Sequence, residues 1–255
     1  MRKKLARIGA IALLLVTSMT ALLWFMLKDP QVPDPLIGGK PITWWTQQIR
    51  AGEVNGSVID ALVRGKDVAI PALIRQLSIP DAPARDSVKR LWRQLPPWLR
   101  SRLPEPTTTA ELRRGAAWGL RLMYCNEDDE FLPAPAPTPA EAQMLLPALT
   151  NALHAGDVIV RLNTALVIGH LEVMAWEATE ACAEAVQDRN WMVRANTMYS
   201  LGRLAKLDER ATPMLKLALS DPHPEVREKA AKVLGELGLP PNLGDSPGAK
   251  DHSRR

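Results

Sequence analysis

Apolar residues in the second half of the chain recur every three or four positions, the spacing that lines one face of an α-helix. Leu145, Leu149 and Leu153 give one such stripe. The same spacing predicts first helices of helical pairs over Ala140–His154, Trp176–Gln187 and Arg210–Leu219. Each predicted helix presents its apolar stripe to a mate that follows it along the chain.

Three predicted second helices align with one another without a gap at a period of 33 residues. Solenoid proteins show this kind of internal self-similarity. The matching columns are Val160-Arg161 with Val193-Arg194 and Val226-Arg227, Gly169 with Gly202 and Gly235, and Leu171 with Leu204 and Leu237. Agreement of several independent columns predicts three structural repeats over residues 140–239, each a pair of helices.

An aspartate stands at the junction of the two helices in two of these repeats. Asp188 precedes Arg194, and Asp221 precedes Arg227, with the same D-x5-R spacing. This spacing resembles that of HEAT repeats, and the resemblance implies an Asp–Arg ladder between successive hairpins. The first repeat departs from the pattern because Ala155 occupies the aspartate column. A ladder is a better interpretation of the three in-phase arginines than a basic binding stripe.

The resemblance is weaker upstream, over residues 40–125. Val68–Leu77 resembles a HEAT first helix, Ser87–Leu95 a second helix, and Glu111–Met123 another second helix. Gly38–Ile49 resembles the G-K-x-[LI]-x-x-W segment that opens HEAT-repeat proteins of planctomycete and verrucomicrobial type. The resemblance implies an N-terminal cap containing Trp44 and Trp45, which would cover the open apolar face of a terminal repeat.

The first 28 residues predict a signal anchor. The stretch from Ile8 to Leu27 is apolar and long enough to span a bilayer as one helix. Because basic residues precede it, the positive-inside rule places the rest of the chain outside the cytoplasm. A signal peptide cleaved near Ala21 is the alternative, but the apolar residues continue beyond that site. We therefore expect a single-pass protein of the inner (cytoplasmic) membrane with a periplasmic or extracytoplasmic C-terminal domain.

The remaining segments are predicted connections. Residues 29–39 contain three prolines and indicate an extended linker, and residues 126–139 indicate an acidic, proline-rich surface loop. Residues 240–255 are polar and predict a disordered tail. The predicted fold is therefore all-α: a right-handed α-solenoid of HEAT-like helical hairpins preceded by one transmembrane helix.

Composition supports a helical binding protein and gives no sign of catalysis. The chain of 255 residues has a formal net charge of +4 and only two cysteines, Cys125 and Cys182. The sequence shows no catalytic motif, metal-ligand spacing or cofactor signature, so we predict a protein that is not an enzyme and needs no cofactor or metal. The acidic run Glu127–Glu130 is interpreted as a solvated loop rather than a cation site. Whether the two cysteines form a disulfide is left open.

Basic residues and tryptophans are interleaved between residues 85 and 121. Such a region can contact anionic lipid headgroups or nucleic acid, or it can be core tryptophans coated by arginine stems. Extracytoplasmic location disfavours nucleic acid. The candidate binding residues, with the core-and-coat interpretation left open, are Arg85, Lys89, Arg93, Arg100, Arg102, Arg114 and Arg121.

The function predicted from these features is a membrane-tethered scaffold of HEAT repeats. Its partner would be a protein or peptide on the concave face lined by the second helices, and its oligomeric state is not predicted. One alternative is an enzyme or enzyme-accessory protein similar to HEAT-like bilin lyases or DNA glycosylases, which the predicted outward topology opposes. The other alternative is a binder of anionic surfaces through residues 85–121.

Overall fold

The computed structural model describes residues 34–53, 55–125 and 136–240. The predicted anchor over residues 1–28 and the acidic run at 127–130 lie outside the described residues, as does most of the tail. Two compact units are present, one containing residues 83–106 and the other containing residues 35–82 and 107–240. We refer to residues 83–106 as the basic unit and to the other unit as the solenoid.

The solenoid begins with a short hairpin. Strand β1 (Leu36–Ile37) pairs antiparallel with β2 (Lys40–Pro41) through a turn of two glycines. Gly38 and Gly39 both have positive φ angles of 55° and 78°, which glycine adopts without strain. The predicted linker over 29–39 was therefore too long, because Leu36 and Ile37 form a strand and Ile37 is buried.

Helices occupy the rest of both units. In the solenoid they are α1 (Ile42–Ala51), α2 (Gly56–Arg64), α3 (Lys66–Leu77), α6 (Thr109–Tyr124), α7 (Pro139–Leu153), α8 (Val158–Ile168), a 3₁₀ turn (Glu172–Met174), α9 (Ala175–Ala185), α10 (Trp191–Leu204), α11 (Ala211–Ala218) and α12 (Pro224–Glu236). The basic unit contains α4 (Pro83–Gln94) and α5 (Pro97–Arg100). The six helices α7 to α12 coincide with the three predicted repeats.

Helix starts follow from side-chain caps. Thr108 and Thr138 each accept a hydrogen bond from the third helical amide, and Glu111 and Glu141 bond back to the capping residue. These capping boxes satisfy amides that a helix leaves unpaired at its start. Asp157 caps α8 in a similar way through Ile159 and Val160. Polar residues therefore fix where α6, α7 and α8 begin.

Helical hairpins stack side by side to form the core. Each of the pairs α7/α8, α9/α10 and α11/α12 packs internally, and α6, α8, α10 and α12 pack on one another in sequence as a continuous layer. The helix α3 packs against α6, which makes these two helices a fourth hairpin with the basic unit inserted between them in sequence. The prediction that Ser87–Leu95 is the second helix of this hairpin was wrong, since α6 supplies that surface.

The helix α1 packs on the outer side of α6. Trp45 is 8% exposed and donates its indole N–H to the Ile37 carbonyl at 3.0 Å. Trp44 meets Trp45 edge to face with ring centroids 4.7 Å apart. Gly115 of α6 allows α1 and α6 to pack closely, because a Cβ at this position would lie 2.8 Å from Thr46 Cβ of α1.

Candidate protein-binding groove

The in-phase arginines of the repeats form an ion-pair ladder, as the sequence predicted. Arg161 Nε donates to Asp188 Oδ2 at 2.7 Å, and Arg194 Nε donates to Asp221 Oδ2 at 2.7 Å. Each arginine thus bonds the aspartate of the next repeat. Arg194 also donates to the backbone carbonyl of Asp188 in its own repeat at 2.8 Å. These ion pairs join successive hairpins, and both arginines are therefore paired within the fold.

The ladder extends one step further upstream than the D-x5-R pattern indicated. Asp157 lies two places after the aspartate column, yet its carboxylate accepts from Arg114 Nε at 2.5 Å. Arg114 was a predicted binding residue, and the structure shows it joining α6 to the first regular repeat. At the other end, Arg227 bonds only backbone carbonyls of Asp221 and Pro222 among the described residues.

A groove lies on the face formed by the second helices α8, α10 and α12. Its cavity has a volume of about 460 Å³. The lining residues are Leu162 from α8, Trp191, Met192, Ala195 and Asn196 from α10, and Glu225, Glu228, Lys229 and Lys232 from α12. One wall is therefore mainly apolar, and the other carries two acidic and two basic side chains.

Trp191 is the largest apolar side chain in this groove. It is 37% exposed, and its ring stacks on His223 with centroids 4.1 Å apart and planes inclined by 4°. His223 precedes α12, and its backbone N–H donates to Asp221 at 2.8 Å. Trp191 therefore packs on a residue that is hydrogen-bonded to the ladder aspartate Asp221, and this contact restrains the Trp191 ring in the groove lining. A fixed aromatic side chain binds with little loss of conformational entropy.

His170 and Arg203 occupy one column of the repeats. The Nε2 atom of His170 is buried and lacks a hydrogen-bond partner among the described residues. Burial, assisted by the nearby Arg203 charge, lowers the pKa of His170 to about 4. Arg203 pairs with Glu172 at 2.5 Å. The imidazole is therefore neutral at physiological pH.

A second cleft, of about 510 Å³, opens beside the ladder. It is lined by Arg114, Gly156, Asp157, Val158, Arg161, Arg189 and Asn190. Two of its three arginines are used in ladder rungs, and the third, Arg189, is exposed. Because Asp157 lies in the same cleft, its charge opposes an anionic ligand there. We therefore regard the groove of the second helices as the better candidate binding site.

The predicted basic candidates do not form one structural group. Arg85, Lys89, Arg93, Arg100 and Arg102 belong to the basic unit, whereas Arg114 and Arg121 belong to α6 of the solenoid. Lys89 is 4% exposed and pairs with Glu105 at 2.9 Å, so it is an internal residue. Arg93 and Arg102 are exposed. The sequence treated these residues as one region because it could not show that α3 pairs with α6.

Cys182 does not have the environment of a reactive thiol. Cys182 is fully buried, and burial raises the pKa of its thiol to about 12. The described residues Cys125 and Cys182 are not joined by a disulfide. No group of three or more His, Cys, Asp or Glu side chains is arranged to hold a metal ion within the described ranges.

Sequence reasoning identified the groove-forming helices but missed Trp191 and Met192 as binding candidates. Both residues directly precede the Val193-Arg194 pair and were treated as part of the repeat pattern. The available signal was a tryptophan in a column that Val158 and Pro224 occupy in the other repeats. A large aromatic side chain at one position of a repeat column can indicate a surface specialised for contact.

This arrangement of paired helices and ladder rungs is that of HEAT repeats, and a family model described as HEAT repeats matches residues 146–235. The described helices form an all-α solenoid, and the match to HEAT repeats covers residues 146–235. A solved structure of human deoxyhypusine hydroxylase in complex with glycerol is 18% identical in sequence. The match covers 89% of this chain and 98% of the hydroxylase chain, with a TM-score of 0.34. No curated protein matches the chain.

Among the helices that the structure describes, none alone has both the length and the hydropathy to cross a membrane. Val158–Ile168 and Glu172–Ala185 meet the criterion only as a pair, which is bent by 83° at the break between them.

Proposed function

We propose that this protein is a non-catalytic scaffold that binds a protein segment in the groove of α8, α10 and α12. The observation that carries the proposal is the composition of the groove walls. Leu162, Trp191 and Met192 line one side, and charged residues of α12 line the other. HEAT repeats commonly bind proteins, and repeat stacking makes an extended surface of this kind available for recognition.

The groove walls favour an amphipathic helix as the bound segment. Such a helix would place its apolar stripe against Trp191 and Met192 and its polar side against α12. Glu225, Glu228, Lys229 and Lys232 then offer partners for both signs of charge, which sets the register of the bound helix more than its affinity.

The proposal includes a membrane tether formed by residues 1–28. Its support is the apolar stretch Ile8–Leu27 and the basic residues before it. On this proposal the solenoid faces the periplasm or extracytoplasmic space and meets its partner there. A reporter enzyme that is active only outside the cytoplasm should be active when it is fused to the C-terminus. Activity of a fused reporter that works only in the cytoplasm would contradict the orientation.

Site-specific photo-crosslinking in cells tests the docking surface. A photoreactive amino acid at Glu228 or Lys232 should give a discrete adduct with one partner. The same amino acid at Glu180 of α9 or Lys216 of α11, which are exposed outside the groove lining, should not. Equal adducts at all four positions, or none at any, would contradict docking in the groove.

A binding measurement with the crosslinked partner completes the test. Trp191→Ala in the purified full chain should weaken binding by about tenfold or more, because buried tryptophans dominate interface energies. Trp176→Ala is the matched control, since Trp176 is 60% exposed and does not line the groove. Equal affinities of the two variants would exclude the groove as the binding site.

A further inference from the structure

The basic unit carries a concentrated positive charge. Residues 83–106 contain six basic residues against two acidic ones, a net charge of +4 within 24 residues. The whole chain also has a formal net charge of +4, so the rest of the sequence is balanced. Such a charge on a short inserted segment is not needed by the hairpin that it interrupts, because α3 and α6 pack through their own faces.

Part of this charge is used inside the unit. Lys89 is buried and paired with Glu105 at 2.9 Å. The Arg100 guanidinium carbon lies 5.8 Å from the centre of the Trp92 ring, within the range of a cation–π contact. These contacts hold α4, α5 and the following loop together. They leave Arg90, Arg93 and Arg102 exposed to solvent.

Large apolar side chains are exposed beside these arginines. Leu91 is 60% exposed between Arg90 and Arg93, and Leu103 is 37% exposed directly after Arg102. Trp98 of α5 is 62% exposed. A soluble surface normally scatters such residues singly, whereas three of them lie within 13 residues in this small unit.

We propose that the exposed side of the basic unit docks on an anionic phospholipid surface. Arginines are attracted to lipid phosphates, and the adjacent leucines and tryptophan can enter the boundary between headgroups and acyl chains. Trp98 has the amphipathic ring that is enriched at this boundary. None of these residues lines the groove of the second helices, so the proposal goes beyond the scaffold function and does not depend on it.

The pattern fits lipid better than single-stranded nucleic acid. Nucleic acid binding of this kind uses successive aromatic platforms for stacked bases. In the basic unit Trp92 is half-buried beneath Arg100, which leaves Trp98 as the exposed aromatic ring within residues 83–106. Leu91 and Leu103 have no role in base stacking but add apolar area that a bilayer can bury.

The test uses the purified full chain reconstituted into nanodiscs, because residues 1–28 would associate with any bilayer in a simple flotation assay. Brominated phosphatidylcholine quenches tryptophans that enter the bilayer. The difference between the native protein and Trp98→Phe isolates the signal of Trp98. We expect clear quenching of Trp98 when phosphatidylglycerol is included and much less in phosphatidylcholine alone.

Charge reversal provides the matched comparison. Arg93→Glu with Arg102→Glu should abolish the quenching, since each arginine near an anionic surface strengthens association by about fivefold at low salt. Lys206→Glu with Lys216→Glu changes the net charge equally at exposed positions of the solenoid and should leave the quenching intact. Circular dichroism and thermal melts of both variants establish that they fold.

Two results would overturn the proposal. The first is Trp98 quenching that does not depend on phosphatidylglycerol or on Arg93 and Arg102. The second is a Trp98 signal that responds to a single-stranded oligonucleotide but not to anionic bilayers, which would assign the surface to nucleic acid. Either result leaves the crosslinking test of the groove unaffected, so failure of this inference and failure of the scaffold function can be distinguished.

Discussion

The glycine column shows how one residue type serves packing in one repeat and not in the next. A Cβ on Gly169 would lie 2.6 Å from Ser200 Cα, and a Cβ on Gly202 would collide with Val233 Cγ1. At Gly235 an added Cβ meets no described atom within 4 Å. The sequence presented these glycines as equivalent, since a repeat column cannot show which members have a neighbouring helix.

Alanine substitution separates the two cases. Gly202→Ala should lower the free energy of unfolding by about 1 to 3 kcal/mol because it overpacks the contact between α10 and α12. Gly235→Ala should be neutral or slightly stabilising, since alanine has the higher helix propensity and the site is open. Chemical denaturation of the two variants measures both effects. Equal destabilisation would mean that another surface covers Gly235.

The ladder aspartates should make stability dependent on acid pH. The Arg194 guanidinium hydrogen-bonds Asp221 and lowers the pKa of its carboxyl below the ordinary value of 3.8. A lowered pKa in the folded state means that the pair stabilises the fold fully above 3.8. This contribution is lost as the pH falls through the folded-state value.

Asp221→Asn tests this linkage. The variant should lose about 3 kcal/mol of unfolding free energy at neutral pH, because Arg194 is left with a neutral partner in a largely buried site. Its stability should also fall less steeply than that of the native protein below pH 4. Asp60→Asn is the control, since Asp60 pairs with Arg64 on an exposed helix face. Parallel acid-denaturation curves for native protein and Asp221→Asn would contradict the assignment.

His170 gives a pH dependence in a different window. Its folded-state pKa of about 4 lies below the ordinary value of 6.5, so the unfolded chain binds more protons between these values. The contribution of His170 to the free energy of unfolding is therefore at its maximum above pH 6.5, and it decreases as the pH falls toward 4. His170→Gln should flatten the stability profile in this window, measured by thermal melts at a series of pH values.

At the scale of helices, periodicity located the segments well but did not pair all of them. Helices α7 to α12 were predicted with their correct order and partners because each second helix follows its first helix after a short turn. The same expectation failed for α3, since its partner α6 comes after the inserted basic unit. Pairing depends on which apolar faces fit together, and sequence adjacency is only a guide to that.

A double-mutant cycle distinguishes the two pairings of α3. A Cβ on Gly119 of α6 would lie 3.4 Å from both Leu73 methyl carbons. Gly119→Leu alone should therefore destabilise the fold by overpacking, and it should be tolerated in a Leu73→Ala background, where it fills the space left by the truncation. The expected coupling exceeds about 1 kcal/mol. Leu73→Ala combined with Leu91→Ala of α4 should be additive.

At the scale of the molecule, the sequence identified the repeat architecture and predicted a binding face on the second helices. It did not separate the Arg/Trp-rich region into an inserted basic unit and a structural ladder arginine. That separation depends on long-range packing, because Arg114 of α6 pairs with Asp157 of the next hairpin, 43 residues away in sequence. The groove likewise becomes visible only when α8, α10 and α12 lie side by side.

The last hairpin differs from the others in the columns that face a following repeat. Glu228 and Lys232 occupy columns that Leu162 and Leu166 fill in the first regular repeat, and both are exposed. Charged side chains at these positions are compatible with exposure of this face of α12 to water. The helix α8 is packed against α6, α7, α9 and α10, whereas α12 packs against α10 and α11.

This one-sided packing predicts a gradient of local stability along the solenoid. Backbone amides of α12 should exchange with solvent faster than those of α10, and those of α8 should exchange slowest, because terminal repeats can open without disrupting the repeats before them. Hydrogen exchange measured by mass spectrometry resolves the three helices. Asp221→Asn should accelerate exchange in α12 while leaving α8 little changed, since that rung joins only the last two repeats. Uniform exchange of all three helices would instead show that the solenoid unfolds as a single cooperative unit.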